Sequence, residues 1–200
     1  MLTEYSIIGV GGHAKVIIEI VEAMGAKVVA VYDHNSFVDS LFSYPVYKAD
    51  PSEGVFLIAI GNNATRKKLS ALLPGEFGTA VHPRANLSAR CLIQAGTVVM
   101  AGATINSEVV IGKHCIVNTN ASIDHDCILG DYVHVSPNAA LAGNVTIGEG
   151  AHIGIGSSVI QGITIGKGAV IGAGSVIIRD IPDYAVVVGV PGNIIRYDVP

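Results

Sequence analysis

The 200-residue chain has no tryptophan, and only 6% of its residues are aromatic and 14% charged. Disordered chains are rich in charge and poor in apolar residues, so a chain that is 50% hydrophobic is not of that class. Lysine and arginine number 12 against 16 aspartates and glutamates, which gives a net charge of −4. Because no run of basic residues is present, the charge pattern argues against a nucleic-acid partner.

The chain also lacks a hydrophobic run long enough to cross a membrane. Its longest stretches without acidic or basic residues span 17 positions and contain many small polar residues, whereas a spanning helix needs about 20 mostly apolar ones. No basic segment opens the chain, so no signal peptide is expected. Cys91, Cys115 and Cys127 are an odd number without metal-type spacing. We therefore expect a cytoplasmic protein with reduced thiols and no metal.

A six-residue repeat dominates the second part of the chain. From Val81 to Ile177 every sixth residue is aliphatic, without an insertion, and a small residue usually follows four positions later. The helical period of 3.6 and the strand period of 2 both fail over this length. Hexapeptide repeats predict a parallel β-helix, in which three successive repeats, each a short strand and a turn, form one coil.

Residues 1–78 have a different pattern, in which strands and helices alternate. Strands are predicted over 5–10, 27–32 and 55–60, a helix over about 13–24, and a second helix that contains residues 66–68 and runs to about 73. Such alternation is typical of a parallel α/β sheet. We therefore expect two domains, a Rossmann-like nucleotide-sugar-binding half domain over 1–78 and a β-helix with a C-terminal tail over 79–200.

A glycine-rich turn links the first predicted strand to the first predicted helix. Gly9-x-Gly11-x-x-Ala14 matches the dinucleotide fingerprint, and Asp33 ends the next strand at the ribose-binding place. Phosphates bind at such a helix N-terminus because free N–H groups and the helix dipole point there. About 75 residues hold only one mononucleotide-binding half, so a mononucleotide or a nucleotide-linked sugar fits better than NAD.

His125 is flanked by Asp124 and Asp126 at an expected outward corner of the β-helix. A carboxylate beside an imidazole fixes its tautomer and raises its basicity, as a general base requires. Gly143 lies three repeats further on, one coil above His125, and offers a backbone that a ligand can approach closely. Residues 18 positions apart stack in a column along the β-helix, and two other such pairs are His134 below His152 and Ile155 below Ala173. Columns of this kind suit an elongated ligand such as a pantetheine arm.

Together these segments resemble the hexapeptide acyltransferases of the PglD/NeuD type, which are bacterial nucleotide-sugar N-acetyltransferases and sialic acid O-acetyltransferases. The resemblance covers essentially the whole chain, through residues 8–15, the strand end at Asp33, and residues 58–67, 123–127 and 188–192. It implies a left-handed β-helix, a homotrimer, and acetyl-CoA bound in the cleft between neighbouring β-helices.

The resemblance also implies roles for particular residues. His125 falls on the catalytic histidine and Asp126 on the acidic residue that supports it, where relatives are expected to carry glutamate. The nucleotide sugar is expected to contact Gly11, Gly12, His13, Asp33, His34 and Gly61. Acetyl-CoA is expected to contact His134, Gly143, Ile155 and Ala173.

Three functions are open on the sequence alone. The leading one is acetyl-CoA-dependent N-acetylation of a UDP-linked 4-amino-4,6-dideoxy sugar in bacterial glycan biosynthesis. The same machinery could instead acetylate a sugar hydroxyl, as in the sialic acid type. The third is a trimeric scaffold that binds nucleotide without catalysis. The pair of His125 and Asp126 favours an enzyme, because a scaffold has no reason to keep it.

Overall fold

The computed structural model describes residues 3–198. Its first part is an α/β region whose strands and helices alternate along the chain: β1 (Glu4–Ile8), α1 (Gly12–Ala23), β2 (Lys27–Tyr32), β3 (Ser40–Leu41), β4 (Tyr44–Tyr47), β5 (Val55–Ile58), α2 (Asn63–Leu72) and β6 (Glu76–Phe77). Buried aliphatic residues on one face of α1 pack against the sheet, as the predicted helical spacing requires.

The strand order of this sheet is β3-β4-β2-β1-β5-β6. Strand β1 pairs in parallel with β2 on one side and with β5 on the other. The chain therefore reverses its direction of winding at β1, and a crevice opens at the carboxyl ends of β1 and β5. Open α/β sheets bind their ligands at such a switch point.

The observed elements of the α/β region differ from the predicted ones. The first strand ends at Ile8 because Gly9, with φ of +112°, leaves the extended conformation, and the third ends at Ile58, two residues early. Strands β3, β4 and β6 were not predicted. Strands β3 and β4 form an antiparallel pair, and β4 extends the sheet beside β2. These strands are too short to show an alternating pattern.

Seventeen two-residue strands follow in the described chain, at intervals of six residues: β7 (Ala80–Val81), β8 (Asn86–Leu87), β9 (Leu92–Ile93), β10 (Val98–Val99), β11 (Thr104–Ile105), β12 (Val110–Ile111), β13 (Ile116–Val117), β14 (Ser122–Ile123), β15 (Ile128–Leu129), β16 (His134–Val135), β17 (Ala140–Leu141), β18 (Thr146–Ile147), β19 (His152–Ile153), β20 (Ser158–Val159), β21 (Thr164–Ile165), β22 (Val170–Ile171) and β23 (Val176–Ile177). Each pairs in parallel with the strand three repeats away. The predicted hexapeptide β-helix is confirmed.

The strands form three faces of a prism. Face 1 starts with β7, face 2 with β8 and face 3 with β9, and every third strand continues the same face. Two further strands, β24 (Ala185–Val188) and β25 (Asn193–Tyr197), extend face 1 at its C-terminal end. The repeated aliphatic residues fill the interior, and the three cysteines are all free. We call the turns between the faces corner 1–2, corner 2–3 and corner 3–1.

The α/β region is packed against face 1. One buried apolar cluster contains Ile17 of α1 together with Ala80, Val98 and Ile116 of face 1. The sheet of the α/β region ends at Phe77 and face 1 begins at Ala80, so the domain boundary expected between 78 and 79 falls in this gap and stays a prediction. Neither helix in residues 3–198 is long and apolar enough to span a membrane.

Candidate active site

His125 and Asp126 lie at corner 2–3, and their side chains are bonded to each other. Nδ1 of His125 is 2.7 Å from Oδ2 of Asp126, although this carboxylate is one methylene shorter than that of the glutamate expected in relatives. Asp126 has φ of +61°, a left-handed conformation that aspartate tolerates better than most residues. The imidazole is 58% exposed, which leaves its Nε2 accessible to a substrate.

Asp124 is hydrogen-bonded to the backbone of His125, whereas Asp126 is hydrogen-bonded to its ring. Its Oδ1 accepts hydrogen bonds from the backbone N–H of His125 at 2.8 Å and from Nδ2 of Asn106 at 2.7 Å. The bond to Asp126, followed by the negative charge of Asp124, raises the pKa of His125 above its ordinary value. The two carboxylates therefore strengthen the imidazole as a base.

Gly143 lies directly against the imidazole, one coil above His125 as predicted. A Cβ atom added to Gly143 would lie 2.6 Å from Cε1 and 2.7 Å from Nε2 of His125. The backbone N–H of Asn144 donates to the His125 carbonyl at 2.9 Å. Any side chain at position 143 would therefore displace the ring.

Glycines follow the two strands whose carboxyl ends form the crevice of the α/β region. Gly11 precedes α1 in an extended conformation without a side-chain cap, and Gly12 is the first residue of the helix. A Cβ atom at Gly11, Gly12 or Gly61 would meet nothing within 4 Å. Because no contact inside the protein requires glycine at Gly11 or Gly12, these two residues leave room beside the N–H groups at the start of α1, where an anion binds favourably. Gly61 leaves room at the carboxyl end of β5.

Asp33 and His34 lie beside this crevice, at the end of β2. Oδ2 of Asp33 accepts from the Val10 N–H at 3.2 Å and its Oδ1 from the Asn35 N–H at 2.9 Å, so the carboxylate also braces the glycine turn. Nε2 of His34 is 2.7 Å from Oδ1 of Asp50. These residues line a cleft of about 370 Å³, whose other walls are mainly apolar. This mixture suits a nucleoside, with an apolar wall for the base and polar groups for the ribose.

His13 is half-buried, and its Nε2 is buried without a hydrogen-bond partner among the described residues. Burial, and then the positive charge of Arg66, lowers the pKa of His13 to about 4. The imidazole is therefore uncharged near neutral pH.

His134 lies on face 1, in a cleft that it shares with Gly61 and the start of α2. Its Nε2 is 3.1 Å from Nδ2 of Asn118, and Oδ1 of Asn118 accepts from the Thr119 N–H at 2.8 Å. The Asn118 amide nitrogen therefore donates to Nε2, which assigns the proton of His134 to Nδ1. Burial, and then the neighbouring His152, lowers the pKa of His134 to about 3.

The predicted acetyl-CoA residues are distributed over three parts of the prism. Ile155 and Ala173 lie on successive coils of corner 1–2, where the Gly174 N–H donates to the Ile155 carbonyl at 2.8 Å. His134 lies on face 1 and Gly143 at corner 2–3. Within one chain these residues do not form a single pocket. Corner 2–3, with His125, is opposite face 1, which carries the α/β region.

Sequence reasoning missed several residues around these sites. Asp50 follows no pattern that could have identified it. Asn63 and Arg66 lie in a segment that contributed to the resemblance, but no role was inferred for them. Within residues 3–198, no group of three or more His, Cys, Asp or Glu side chains is placed to hold a metal ion.

Comparisons with known proteins agree with this architecture. Residues 6–73 match the PglD N-terminal domain, and residues 108–143 and 144–179 match the bacterial transferase hexapeptide of six repeats. No significant match was found among curated protein sequences.

Solved structures of similar proteins cover nearly the whole chain. PerB from Caulobacter crescentus, in complex with CoA and GDP-perosamine, is 39% identical over 97% of this chain and 98% of that chain, with a TM-score of 0.92. The acetyltransferase domain of PglB from Neisseria gonorrhoeae, in complex with acetyl coenzyme A, is 36% identical over 98% and 100%, with a TM-score of 0.90. WeeI from Acinetobacter baumannii is 26% identical over 96% and 100%, with a TM-score of 0.87.

The hexapeptide β-helix with its N-terminal α/β region defines an acyltransferase that uses acetyl-CoA as co-substrate. Within this class, the chain belongs to the PglD/NeuD-type family of sugar acetyltransferases.

Proposed function

We propose that the protein transfers the acetyl group of acetyl-CoA to the amino group of a UDP-linked 4-amino-4,6-dideoxy sugar. The observation that carries the proposal is the pair at corner 2–3, in which Asp126 holds Nδ1 of an exposed His125 and leaves Nε2 to the substrate. The functions of similar proteins, which include a perosamine N-acetyltransferase, support the reaction type.

The proposed chemistry is a direct transfer. The neutral sugar amine attacks the thioester carbonyl carbon and forms the C–N bond, while Nε2 of His125 takes the proton of the amine. The tetrahedral intermediate collapses by breaking the C–S bond, and the CoA sulfur leaves as a thiolate that takes the proton from Nε2 of His125. A backbone N–H near Gly143 is proposed to stabilise the oxyanion, because preorganised donors are effective where negative charge develops.

The nucleotide is proposed to bind in the crevice of the α/β region. Its diphosphate would lie at the start of α1, beside Gly11, Gly12 and the backbone of His13, with Gly61 across the crevice. Its nucleoside would occupy the cleft beside Asp33 and His34. PerB was crystallised with a GDP-linked sugar, so the experiment includes both uridine and guanosine nucleotides.

We propose a homotrimer as the active form. The nucleotide crevice is attached to face 1, and His125 lies at the opposite corner of the same prism. A neighbouring chain that presents its corner 2–3 beside face 1 would complete the site. The same cleft between chains would bring together the acetyl-CoA residues that one chain separates: His134, Gly143, Ile155 and Ala173.

The proposed location is the cytoplasm, and the proposed pathway is bacterial glycan biosynthesis. Cys91, Cys115 and Cys127 are free, which supports a reducing compartment.

The test is release of CoA thiol from acetyl-CoA in the presence of UDP- and GDP-linked amino sugars, with the matching hydroxy sugars as controls. We expect thiol release with a UDP-linked amino sugar and an amide product by mass spectrometry. An ester product would establish O-acetylation. Nucleotide binding without thiol release from any of these compounds would establish the scaffold.

A further inference from the structure

Arg66 is the charged residue most deeply enclosed between the two parts of the molecule. It is 1% exposed, and in the described residues its guanidinium is bonded to no carboxylate. Its five hydrogen bonds go instead to four backbone carbonyls and one amide oxygen: His114 O at 2.7 Å, Ile60 O at 2.9 Å, Gly61 O at 3.1 Å, Asn63 Oδ1 at 2.9 Å and Tyr132 O at 2.9 Å.

These acceptors come from two sides of the cleft. The carbonyls of Ile60 and Gly61 belong to the turn after β5, which is one wall of the nucleotide crevice. The carbonyls of His114 and Tyr132 belong to successive coils at corner 3–1. One planar side chain therefore ties the crevice wall directly to the β-helix.

Asn63 extends this connection by one coil. Its Oδ1 accepts from Arg66, and its Nδ2 donates to the carbonyls of Gly150 at 2.9 Å and Ala151 at 3.1 Å. The start of α2 is thus fixed to three successive coils of the prism. One end of the connection directly follows an interior strand of the sheet, and the other is part of hydrogen-bonded coils of the β-helix.

Holding the α/β region against the β-helix does not by itself require a cation at this position. A buried charge costs free energy unless it is fully hydrogen-bonded, and well-packed apolar residues often hold two surfaces at least as well. Arginine offers five N–H donors in a fixed planar fork, which lysine cannot reproduce. Burial lowers the pKa values of His13, His114, His134 and His152, and the charge of Arg66 lowers them further. The cation therefore adds to the effect of burial in disfavouring protonated histidines.

We propose that Arg66 is a positioning residue, which fixes the Gly61 wall of the nucleotide crevice relative to the β-helix, so that the bound sugar amine meets the acetyl group in the correct orientation. This inference rests on the proposed function. Arg66 does not contact the substrates, because its donors are all used by protein carbonyls and Asn63. It acts through the position of Gly61.

The test compares Arg66→Lys with Lys67→Met. Lysine keeps the charge but loses the fork, so we expect kcat/KM for the nucleotide sugar to fall about 10- to 100-fold, as for a small misplacement of a substrate. The KM for acetyl-CoA should stay unchanged. Lys67 also connects α2 to the β-helix, through Glu149 on the surface, and Lys67→Met should leave both parameters unchanged. Equal rises in the KM values for the nucleotide sugar and for acetyl-CoA in Arg66→Lys would overturn the proposal.

Asn63→Ala provides a second variant if Arg66→Lys does not fold. It removes the bonds to Gly150 and Ala151 but leaves four of the five bonds of Arg66. We expect kcat/KM for the nucleotide sugar to fall by a smaller factor than in Arg66→Lys, again with an unchanged KM for acetyl-CoA. A fall in thermal stability without a selective loss for the nucleotide sugar would show that the connection is structural only.

A readout without turnover separates this inference from the proposed function. Amide hydrogen exchange over residues 59–66 should be faster in Arg66→Lys than in the wild type and unchanged in Lys67→Met. If the wild type transfers no acetyl group, the proposed function fails while this measurement still judges the role of Arg66. Unchanged exchange in Arg66→Lys would show that the side chain does not hold the Gly61 turn.

Discussion

The Asp126 carboxylate and the imidazole of its chain neighbour His125 form a hydrogen bond of 2.7 Å at an exposed corner of the β-helix. Neighbouring residues in an extended chain point to opposite sides, so this contact depends on the left-handed conformation of Asp126. The bond leaves Nε2 of the histidine as the nitrogen that is available to a substrate.

Replacing His125 with alanine should abolish most of the activity without unfolding the protein. The side chain is exposed, so the free energy of unfolding should change by less than about 1 kcal/mol. Turnover should fall by roughly 10²–10⁴, the usual contribution of a positioned general base, with the KM for acetyl-CoA unchanged. Steady-state kinetics and thermal unfolding check this. If more than about a third of the turnover remains, the base is another residue; His134 is a poor replacement, because burial lowers its pKa to about 3.

Asp126→Asn should move the pH dependence of turnover. The bond to Asp126 raises the pKa of His125, and catalysis requires the neutral imidazole, so activity is lost as the pH falls through that raised pKa. Without the carboxylate the pKa of His125 falls, and the acid limb of the kcat profile should shift to lower pH. The loss of turnover at the plateau should be smaller than in His125→Ala. An acid limb that stays in place would show that Asp126 does not tune the base.

Gly143→Ala should reduce turnover by displacing the imidazole. The added methyl group would lie 2.6 Å from Cε1 of His125, which forces the ring to move. We expect a loss of at least about tenfold, since a misplacement of about 1 Å can cost about 100-fold. The control is the double variant with His125→Ala, in which Gly143→Ala should have no further effect. An additive loss would mean that Gly143 acts independently of the histidine.

Asp33→Ala should weaken the binding of the nucleotide sugar and leave acetyl-CoA binding unchanged. The carboxylate lines the nucleoside cleft and also accepts the Val10 N–H of the glycine turn. Loss of about 1.4 kcal/mol corresponds to a tenfold weaker affinity, which isothermal calorimetry can measure. Asp39→Ala is a suitable control, because Asp39 is an exposed acid of the same region. Unchanged affinity in Asp33→Ala would remove this residue from the site.

Light scattering at micromolar concentration should give a trimer of 20.6 kDa chains, about 62 kDa. Because His125 and the nucleotide crevice lie on opposite sides of one prism, mixed trimers provide a stronger test. At a nucleotide-sugar concentration that does not saturate Asp33→Ala, a mixture of His125→Ala and Asp33→Ala chains refolded together should recover activity above that of either variant alone. A particle with the mass of a single chain, or failure of the mixture to recover activity, would contradict a site shared between chains.

The sequence by itself determined the β-helix, its register and the column of each residue. Each repeat has an aliphatic residue that must face the interior, so a shift by one residue would expose every member of the column, from Val81 to Ile177. For the same reason, the positions of Gly143 over His125 and His152 over His134 followed from counting three repeats along the chain. The glycine turn and β2 were equally readable, because their signals are local.

Tertiary structure decided which part of the β-helix the α/β region covers and which groups surround each side chain there. The burial of His13 and His134 and the bonds of Arg66 to the carbonyls of His114 and Tyr132 arise only where the α/β region meets the β-helix. The two bonds of Arg66 join residues that are 48 and 66 positions apart. No local pattern in the sequence encodes such a contact. Burial and hydrogen-bond partners depend on the packing of distant elements, and these set the charge and orientation of a side chain.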